Sequence, residues 1–395
     1  MRIPMLPFVI LLILCIACDT YIYIIAKKRV RSSMPSKIQL ISSIALYVFV
    51  LTIVALPRRS GSDGQLLTIM WSLFGFISVY MSKLLFCIMD LVASIPCLWH
   101  GKRLRWMSIA GGILSVLLFL LVWWGALINR FNIQVKEVEI PVKNLPEAFD
   151  GYKIVQFSDI HVGTFGQDTT FVGHLVDRIN SINGDMIVFT GDIVNRKTEE
   201  LAPFVEVFSR LEAPDGVISI LGNHDYGDYC DWQNEASKAA NMRELIEMQS
   251  KMGWNLLRND HYTIYHDNDS LVVIGVENVG DPPFKVYGSL KDSYPAPADS
   301  ATKILMTHNP AHWCQEISDG KNNIALTLSG HTHAMQMELF GFSPAVFRYK
   351  TWGGLYKNDS GERPLYVNIG AGTVGFPMRI GATPEITVIT LKKSR

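Results

Sequence analysis

Residues 330–333, Gly-His-Thr-His, place two imidazole side chains one residue apart, directly after the apolar run 324–328. The run is typical of a buried strand. Side chains at positions i and i+2 of an extended chain point in the same direction, so both rings can face one point beyond the end of that strand. One such pair can arise by chance, and the ends of the other apolar runs decide whether it belongs to a site.

Three earlier apolar runs also end in carboxylate, amide or imidazole side chains. The runs are 153–158, 185–190 and 217–221. We predict helices in the segments between them, at 168–181 and 197–211. The order strand, helix, strand, helix, strand predicts parallel strands with crossover helices. Because ligands of open α/β sheets bind beyond the carboxyl ends of the strands, we expect the polar groups at these ends to lie in one site.

Further elements follow along the chain. Strands are predicted at 132–140, 262–266, 271–276, 303–307, 324–329, 364–369 and 385–391. A helix is predicted at 236–252, stopped by Gly253. Residues 339–363 are predicted to form a loop rich in aromatic side chains.

The N-terminal third of the chain has the composition of a membrane region. A helix needs ~20 apolar residues to cross a bilayer, and four segments provide them: 6–26, 38–56, 66–89 and 107–129. The first segment is too long for a cleaved signal peptide. We therefore predict two domains, a membrane region of four transmembrane helices over 1–130 and an α/β domain over 131–395.

The basic loops predict the orientation in the membrane. Loops 27–37 and 90–106 carry five and three Lys or Arg residues, against two in loop 57–65. Cytoplasmic loops carry the excess of positive charge, so the first and third loops are expected inside and the C-terminal domain outside the cytoplasm. Arg130 and Lys136 follow the last span and argue the other way.

Three ionisable residues, Asp19, Lys83 and Asp90, lie in or beside the predicted spans. Charges inside a membrane are expensive and mark functional sites by default. Lys83 and Asp90 are seven residues apart, two turns on one helix face, so we expect Lys83 either to snorkel or to pair with an interfacial Asp90. The alternative is a relay between them, although no internal repeat or broken helix suggests a transporter.

Eight side chains at the strand ends offer oxygen or imidazole donor atoms and no thiolate. They are Asp159, His161, Asp192, Asn223, His224, His308, His331 and His333, which include five of the ten histidines. This donor set suits Mn²⁺, Fe or Zn²⁺. It exceeds what one catalytic ion needs, so two divalent ions that share a carboxylate are predicted, the geometry of two-metal phosphoryl chemistry. His312, four residues after His308, is predicted to lie on the surface.

The motifs Asp-x-His, Gly-Asp, Gly-Asn-His-Asp, His and Gly-His-Thr-His occur in this order from residue 159 to residue 333. Over roughly 150–395 the chain thereby resembles the calcineurin-like metallophosphoesterase family. The flank 151–159 and the ending 384–391 resemble its membrane-anchored bacterial branch, typified by YkuE and YaeI. That branch often has Gly-Gly-Gln after the last histidine, where this chain has Ala334-Met335-Gln336. The resemblance implies a β-sandwich of two sheets flanked by helices, and a multi-pass protein of the bacterial inner membrane.

The resemblance also implies roles for the motif residues. Asp159, His161 and His333 would bind the first metal, Asn223, His308 and His331 the second, and Asp192 would bridge them. A metal-bridging hydroxide would attack phosphorus in line. His224 would stabilise the developing charge or protonate the leaving oxygen, and Asp225 would orient His224.

Several functions remain open at this point. The first is hydrolysis of a phosphodiester or related phosphoester, lipid-linked or from the cell envelope. Alternatives are a UDP-sugar-lipid pyrophosphatase, which would need the domain on the cytoplasmic face, a phosphomonoesterase, and a non-catalytic metal-binding membrane sensor. The formal net charge is zero, so no nucleic-acid partner is expected.

Overall fold

The computed structural model describes residues 5–295, 301–320, 322–361 and 363–394. The chain forms two compact units. The membrane unit consists of Met1–Leu127 with Gly375–Met378, and the α/β unit of Ile128–Val374 with Arg379–Arg395. The domain boundary expected near residue 130 stays a prediction.

Four long helices make up the membrane unit. They are α1 Met5–Arg29, α2 Met34–Ala55, α3 Asp63–Ser94 and α4 Arg105–Leu127. All four are long and apolar enough to cross a membrane, which confirms the number of spans predicted. Helix α3 is 32 residues long and exceeds the predicted span 66–89 at both ends.

Asp19 on α1 ties three of these helices together. Its carboxylate accepts hydrogen bonds from Lys83 Nζ (2.8 Å) and Tyr80 (2.7 Å) on α3. Tyr47 (2.6 Å) and Gln39 (2.9 Å) on α2 also donate to it. Four donors satisfy a carboxylate that would otherwise be costly in an apolar region.

Asp90, by contrast, pairs with arginines. Arg29 donates to both of its oxygens at 3.0 and 3.1 Å, and Arg103 also donates to it. The pairing of Lys83 with Asp90 expected from the sequence is therefore wrong. Each residue finds its partner on another segment of the unit, a choice that spacing along one helix cannot indicate.

We expect Asp19→Leu to destabilise the membrane unit. The change leaves the Lys83 ammonium without its counter-ion, and removing one partner of a buried pair costs roughly 3 kcal/mol. Thermal unfolding in detergent can be followed with a maleimide dye, because Cys15, Cys18 and Cys87 are buried free thiols. The double variant Asp19→Leu/Lys83→Met removes both charges and should regain part of the loss. Equal unfolding midpoints for the single variant and the wild type would contradict the role of Asp19.

Among its described residues, the α/β unit contains twelve strands and four α-helices. The strands are β1 Gln134–Val142, β2 Lys153–Phe157, β3 Met186–Phe189, β4 Val217–Ser219, β5 Trp254–Leu256, β6 Asp260–His266, β7 Asp269–Val276, β8 Thr302–Thr307, β9 Leu326–Ser329, β10 Gly354–Tyr356, β11 Leu365–Val367 and β12 Glu385–Lys393. The helices are α5 Thr170–Asn180, α6 Val205–Phe208, α7 Glu235–Lys251 and α8 Leu290–Ser293.

The strands form two six-stranded sheets. Their orders are β1-β12-β2-β3-β4-β5 and β10-β11-β9-β8-β7-β6. Strands β2 to β5 are parallel to one another, as are β7, β8, β9 and β11. The predicted parallel arrangement of β2, β3 and β4 is thus confirmed, and the carboxyl ends of both parallel sets carry the candidate site residues.

Alternate residues of each strand enter different cores. Ile154 and Val188 of the first sheet pack with Val273 and Ile304 of the second in the core between the sheets. Their neighbours face outward, where Val155 belongs to the core that α5 covers. Both faces of the central strands are buried, which is why their sequences read as continuous apolar runs. The two-sheet α/β fold is confirmed.

The predicted helix 197–211 is only partly correct. Residues Thr198–Phe204 form a 3₁₀-helix that contains Pro203, and only the short α6 follows it. Proline lacks the backbone N–H that a continuous α-helix needs at that position. The predicted aromatic loop 339–363 contains a 3₁₀-turn at Pro344–Phe347 and the edge strand β10.

Candidate metal centre

Five strand ends supply the candidate residues. Asp159 and His161 follow β2, Asp192 follows β3, and Asn223 to Asp225 follow β4 in the first sheet. His308 follows β8, and His331 and His333 follow β9 in the second sheet. The side chains meet because the parallel strands of both sheets end at the same edge of the sandwich.

The backbone at these ends is held in an unusual conformation. Five of the seven predicted ligands have a positive φ, which is uncommon for residues other than glycine: Asp159 (52°), His161 (49°), Asp192 (62°), His331 (77°) and His333 (50°). Such strain clusters at functional sites, where the surrounding structure enforces it.

Two glycines make room for the carboxylates. A Cβ on Gly330 would lie 2.3 Å from Asp159 Oδ2, and one on Gly222 would lie 2.1 Å from Asp192 Oδ1. Both contacts are closer than any side chain permits, so the Gly-His and Gly-Asn steps of the motifs are needed for packing around the site.

Asp159, His161 and His333 form the first donor group. The Nε2 atoms of His161 and His333 are 3.1 Å apart. Asp159 Oδ1 lies 3.3 Å from His333 Nε2, and Asp192 Oδ2 lies 3.6 Å from His161 Nε2. Asp192 thus borders this group.

Asp192, His308 and His331 form the second donor group. His308 Nε2 lies 3.2 Å from Asp192 Oδ2 and 3.2 Å from His331 Nδ1. The same oxygen of Asp192 therefore faces both groups, as a bridging carboxylate must. All six residues of the two groups are buried.

The protonation states favour cation binding. Burial lowers the pKa of His161 and His333 below the ordinary value, and lowers that of His331 to about 3. Burial acts to raise the pKa of Asp159 and Asp192, but the neighbouring imidazoles, chiefly His333 and His308 respectively, hold both below the ordinary value. Ionised carboxylates and neutral imidazoles are the forms that ligate metals. Burial acts to lower the pKa of His308, but Asp192 raises it to about 9, so an ion in the second group would displace the His308 proton.

The residues fit a pair of divalent ions. Within each group, two imidazole nitrogens lie only 3.1 or 3.2 Å apart, close enough to ligate the same cation. Asn223 Oδ1 is buried with no hydrogen-bond partner among the described residues. A buried orphan oxygen is costly and is explained if it completes the second group.

His224 is held beside both donor groups. Its Nδ1 lies 2.6 Å from the Asn195 carbonyl, its backbone N–H donates to Asp192 Oδ1 at 2.8 Å, and its ring lies edge-on to His161 at 4.8 Å. The carbonyl accepts the proton carried by Nδ1, so Nε2 is the nitrogen left to face a reacting group.

Asp225 has a different position from the one expected. Its carboxylate accepts hydrogen bonds from the backbone amides of Gly222, Asp192, Ile193 and Val194 at 2.8 to 3.3 Å. These bonds join the loops after β3 and β4 and hold Asp192 in place. The resemblance implied that Asp225 orients His224. The carbonyl of Asn195 orients it instead, and Asn195 belongs to none of the motifs.

Tyr229 positions the amide of Asn223. Its hydroxyl accepts from Asn223 Nδ2 at 2.9 Å, and its ring stacks on His224 at 4.2 Å. Burial raises the pKa of Tyr229 to about 12, so the hydroxyl stays neutral. Holding Nδ2 in this way turns Asn223 Oδ1 towards the second donor group.

We expect Tyr229→Phe to weaken metal binding at the second group roughly tenfold, since losing a partner of a ligand typically costs 10–100-fold in affinity. The stacking on His224 remains in this variant. Turnover should fall at limiting Mn²⁺ and recover in excess Mn²⁺, which titration calorimetry and activity can follow together. A loss that excess metal does not restore would contradict a positioning role, and Tyr265→Phe on exposed β6 is the control.

Two buried residues were missed or misplaced by sequence reasoning. Arg379 is fully buried, and its Nη2 lies 3.2 Å from His333 Nδ1. A lone arginine 46 residues beyond His333 gives no signal in the sequence. The predicted surface position of His312 is wrong: it is buried and lies 3.0 Å from both Thr307 Oγ1 and Glu316 Oε2.

Comparison with known proteins agrees with this geometry. The sequence profile of the calcineurin-like phosphoesterase family matches residues 152–335, and that described as "Probable Calcineurin-like phosphoesterase, transmembrane domain" matches residues 1–130. A transmembrane protein with metallophosphoesterase domain from Danio rerio is 31% identical over 66% of this chain and 58% of its own length. The uncharacterized metallophosphoesterase YkuE of Bacillus subtilis is 30% identical over 66% of this chain and 86% of its own length.

An uncharacterized metallophosphoesterase of Aquifex aeolicus is 26% identical over 70% of this chain and 98% of its own length. This chain thus spans about three fifths of the Danio rerio relative and nearly all of the two bacterial ones. With its motifs, its two-sheet fold and its paired donor groups, the chain belongs to the calcineurin-like phosphoesterase family and carries that family's four-helix transmembrane domain at its N-terminus.

Proposed function

We propose that this membrane-associated metallophosphoesterase hydrolyses phosphodiester bonds with two divalent ions. The observation that carries the proposal is the shared oxygen, Asp192 Oδ2, which faces His161 of one donor group and His308 of the other. Two ions at this position would supply Lewis acidity to the phosphoryl oxygens and lower the pKa of the attacking water. The imidazole and carboxylate set favours Mn²⁺, Fe or Zn²⁺.

The side chains of the site would have different roles, set by their positions. Asp159, His161 and His333 would hold the first ion, and Asn223, His308 and His331 the second, with Asp192 between them. Each group combines side chains from both sheets, so the packing of the two sheets fixes the separation between the groups. His224 is only partly buried, and it would present Nε2 to the substrate and either stabilise charge there or protonate the leaving oxygen.

The position in the cell forms part of the proposal. We place the chain in the inner membrane of a bacterium with the α/β unit outside the cytoplasm. The excess of Lys and Arg in loops 27–37 and 90–106 supports that orientation. A phosphoester of the cell envelope or of a lipid would then be accessible to the site.

The test is hydrolysis of bis-p-nitrophenyl phosphate by the full-length protein in detergent with added Mn²⁺, beside p-nitrophenyl phosphate. We expect cleavage of the diester and loss of cleavage with a chelator. Cleavage of the monoester alone would replace the proposal by a phosphomonoesterase. Two bound ions without cleavage of either would favour a ligand-binding sensor.

A further inference from the structure

The segment after the last histidine presents apolar side chains to solvent. We call residues 335–347 the apolar loop; its exposed members are Met335, Leu339, Phe340, Phe342, Val346 and Phe347. Phe340 is fully exposed and Phe347 is 84% exposed. A fully exposed phenylalanine offers roughly 150–250 Å², so Phe340 and Phe347 alone present a few hundred Å², a size at which an exposed apolar patch is often functional.

Hydrogen bonds and a ring contact hold the apolar loop in this exposed conformation. Ser343 Oγ donates to the Ala334 carbonyl at 2.6 Å, and Leu339 and Phe342 exchange two backbone hydrogen bonds of 2.9 and 3.0 Å. The rings of Phe342 and Phe347 touch edge to face at 5.9 Å. Phe340 also has a φ of 53°, a conformation that bulky residues avoid. Ser343 and Ala345 are buried and anchor the turn, so the phenylalanine side chains stay exposed to solvent.

The two ends of the apolar loop are fixed beside the two donor groups, one end at each. It begins two residues after His333, and Tyr349, just beyond its end, lies edge-on to the His331 ring at 5.7 Å. Arg348 binds Asp281 at 2.6 Å, which draws in the segment that carries Phe284, itself 4.6 Å from the His331 ring. Whatever the apolar loop binds is thereby placed next to the site.

We propose that the apolar loop enters the surface of a phospholipid bilayer and that the substrate is a phosphoester carried on a lipid. The assignment of a lipid substrate rests on the proposed function, whereas the contact with the bilayer does not. Only six residues separate the end of α4 from the start of β1, so a bilayer surface is always within reach of the α/β unit. Phenylalanine and leucine side chains of interfacial segments are buried at the boundary between headgroups and acyl chains, and the exposed Lys350 adds a cation for the headgroups.

A fluorescent probe tests the bilayer contact without any catalysis. In the full-length chain, Cys97 and Cys314 are the exposed cysteines among the described residues, and serine at both leaves buried thiols only. Phe347→Cys in this background is labelled with a nitrobenzoxadiazole dye and reconstituted into nanodiscs that contain nitroxide-labelled phospholipid. The matched control is Tyr265→Cys, at a position 73% exposed on β6.

We expect the lipid nitroxide to quench the probe at 347 several times more strongly than the probe at 265, while iodide in the water quenches the probe at 265 more strongly. Equal quenching by lipid at the two positions would overturn the proposal. Protection of the probe at 347 from both quenchers would assign the loop to a protein contact and would overturn it as well.

Hydrolysis then tests the substrate class. The probes are hexadecyl p-nitrophenyl phosphate embedded in the nanodisc and bis-p-nitrophenyl phosphate in water, which share a leaving group. Phe340→Ser/Phe347→Ser should lower turnover of the embedded diester about tenfold, since interfacial binding scales with buried apolar area, and leave the soluble diester unchanged. Equal loss on both would overturn the lipid substrate. If the wild type cleaves neither, the proposed function fails, and the quenching result still decides the bilayer contact.

Discussion

Asp192→Asn is expected to abolish turnover and to remove both metal ions from the protein. Asp192 Oδ2 faces both donor groups, 3.2 Å from His308 Nε2 and 3.6 Å from His161 Nε2. An amide keeps the shape of the side chain but loses the negative charge that two cations share. We expect a loss of roughly 10³-fold or more in kcat/KM, because the bridging ligand holds the two-metal clamp together.

Metal content and thermal stability give readouts independent of turnover. Ions that bind only the folded state raise the unfolding temperature, so added Mn²⁺ should stabilise the wild type and leave Asp192→Asn unchanged. Asp177→Asn is the matched control, because Asp177 is an exposed carboxylate that binds Arg210 on the surface. Two ions per chain in the Asp192 variant, with ordinary turnover, would refute the bridging role.

The parts of the fold that sequence could predict are those that local pattern determines. Strands β2, β3 and β4 are buried on both faces, so their apolar runs are continuous and the turns after them are marked by glycine and polar residues. The convergence of Asp159, Asp192 and Asn223 then follows from parallel pairing alone. The second sheet required the resemblance, because no local signal in 303–307 or 324–329 says that β8 and β9 pack face to face with β2 and β3.

The sequence could not predict which polar groups, far apart in the chain, bind each other. The resemblance implied that Asp225 orients the adjacent His224, but its carboxylate turns to the amides of Asp192 to Val194, 31 to 33 residues upstream. Lys83 likewise binds Asp19, 64 residues away. Adjacent residues on a tight turn after a strand point in different directions, so proximity in sequence says little about which polar groups meet.

The burial of His312 was another feature that the sequence could not predict. Its position four residues after His308 suggested a surface residue, but Trp313–Ile317 forms a single π-turn that packs against the second sheet through Trp313 and Ile317. The imidazole is therefore drawn under the turn, where Thr307 and Glu316 satisfy both nitrogens. Burial depended on which face of this short turn the sheet covers, and the sequence alone does not fix that face.

His224→Ala is expected to keep both metal ions and to lose turnover by roughly 10² to 10³-fold, the range for removal of a positioned acid or base. The His224 ring contributes no atom to either donor group, and its backbone N–H, which supports Asp192, survives the substitution. Metal content equal to the wild type with a large fall in kcat is therefore the predicted pattern. Metal loss in this variant would instead make His224 a structural support of Asp192.

The leaving group can separate the two roles open to His224. If Nε2 protonates the leaving oxygen, the loss should be small for diesters of p-nitrophenol, which departs without a proton, and much larger for diesters of phenol or an alkyl alcohol. If the imidazole only stabilises charge on the phosphoryl oxygens, the loss should be similar for all of them. The fixed ring geometry, with Nδ1 bound to the Asn195 carbonyl at 2.6 Å and Tyr229 stacked at 4.2 Å, directs Nε2 alone towards the substrate and favours the first pattern. Equal losses across the series would rule out proton transfer by His224.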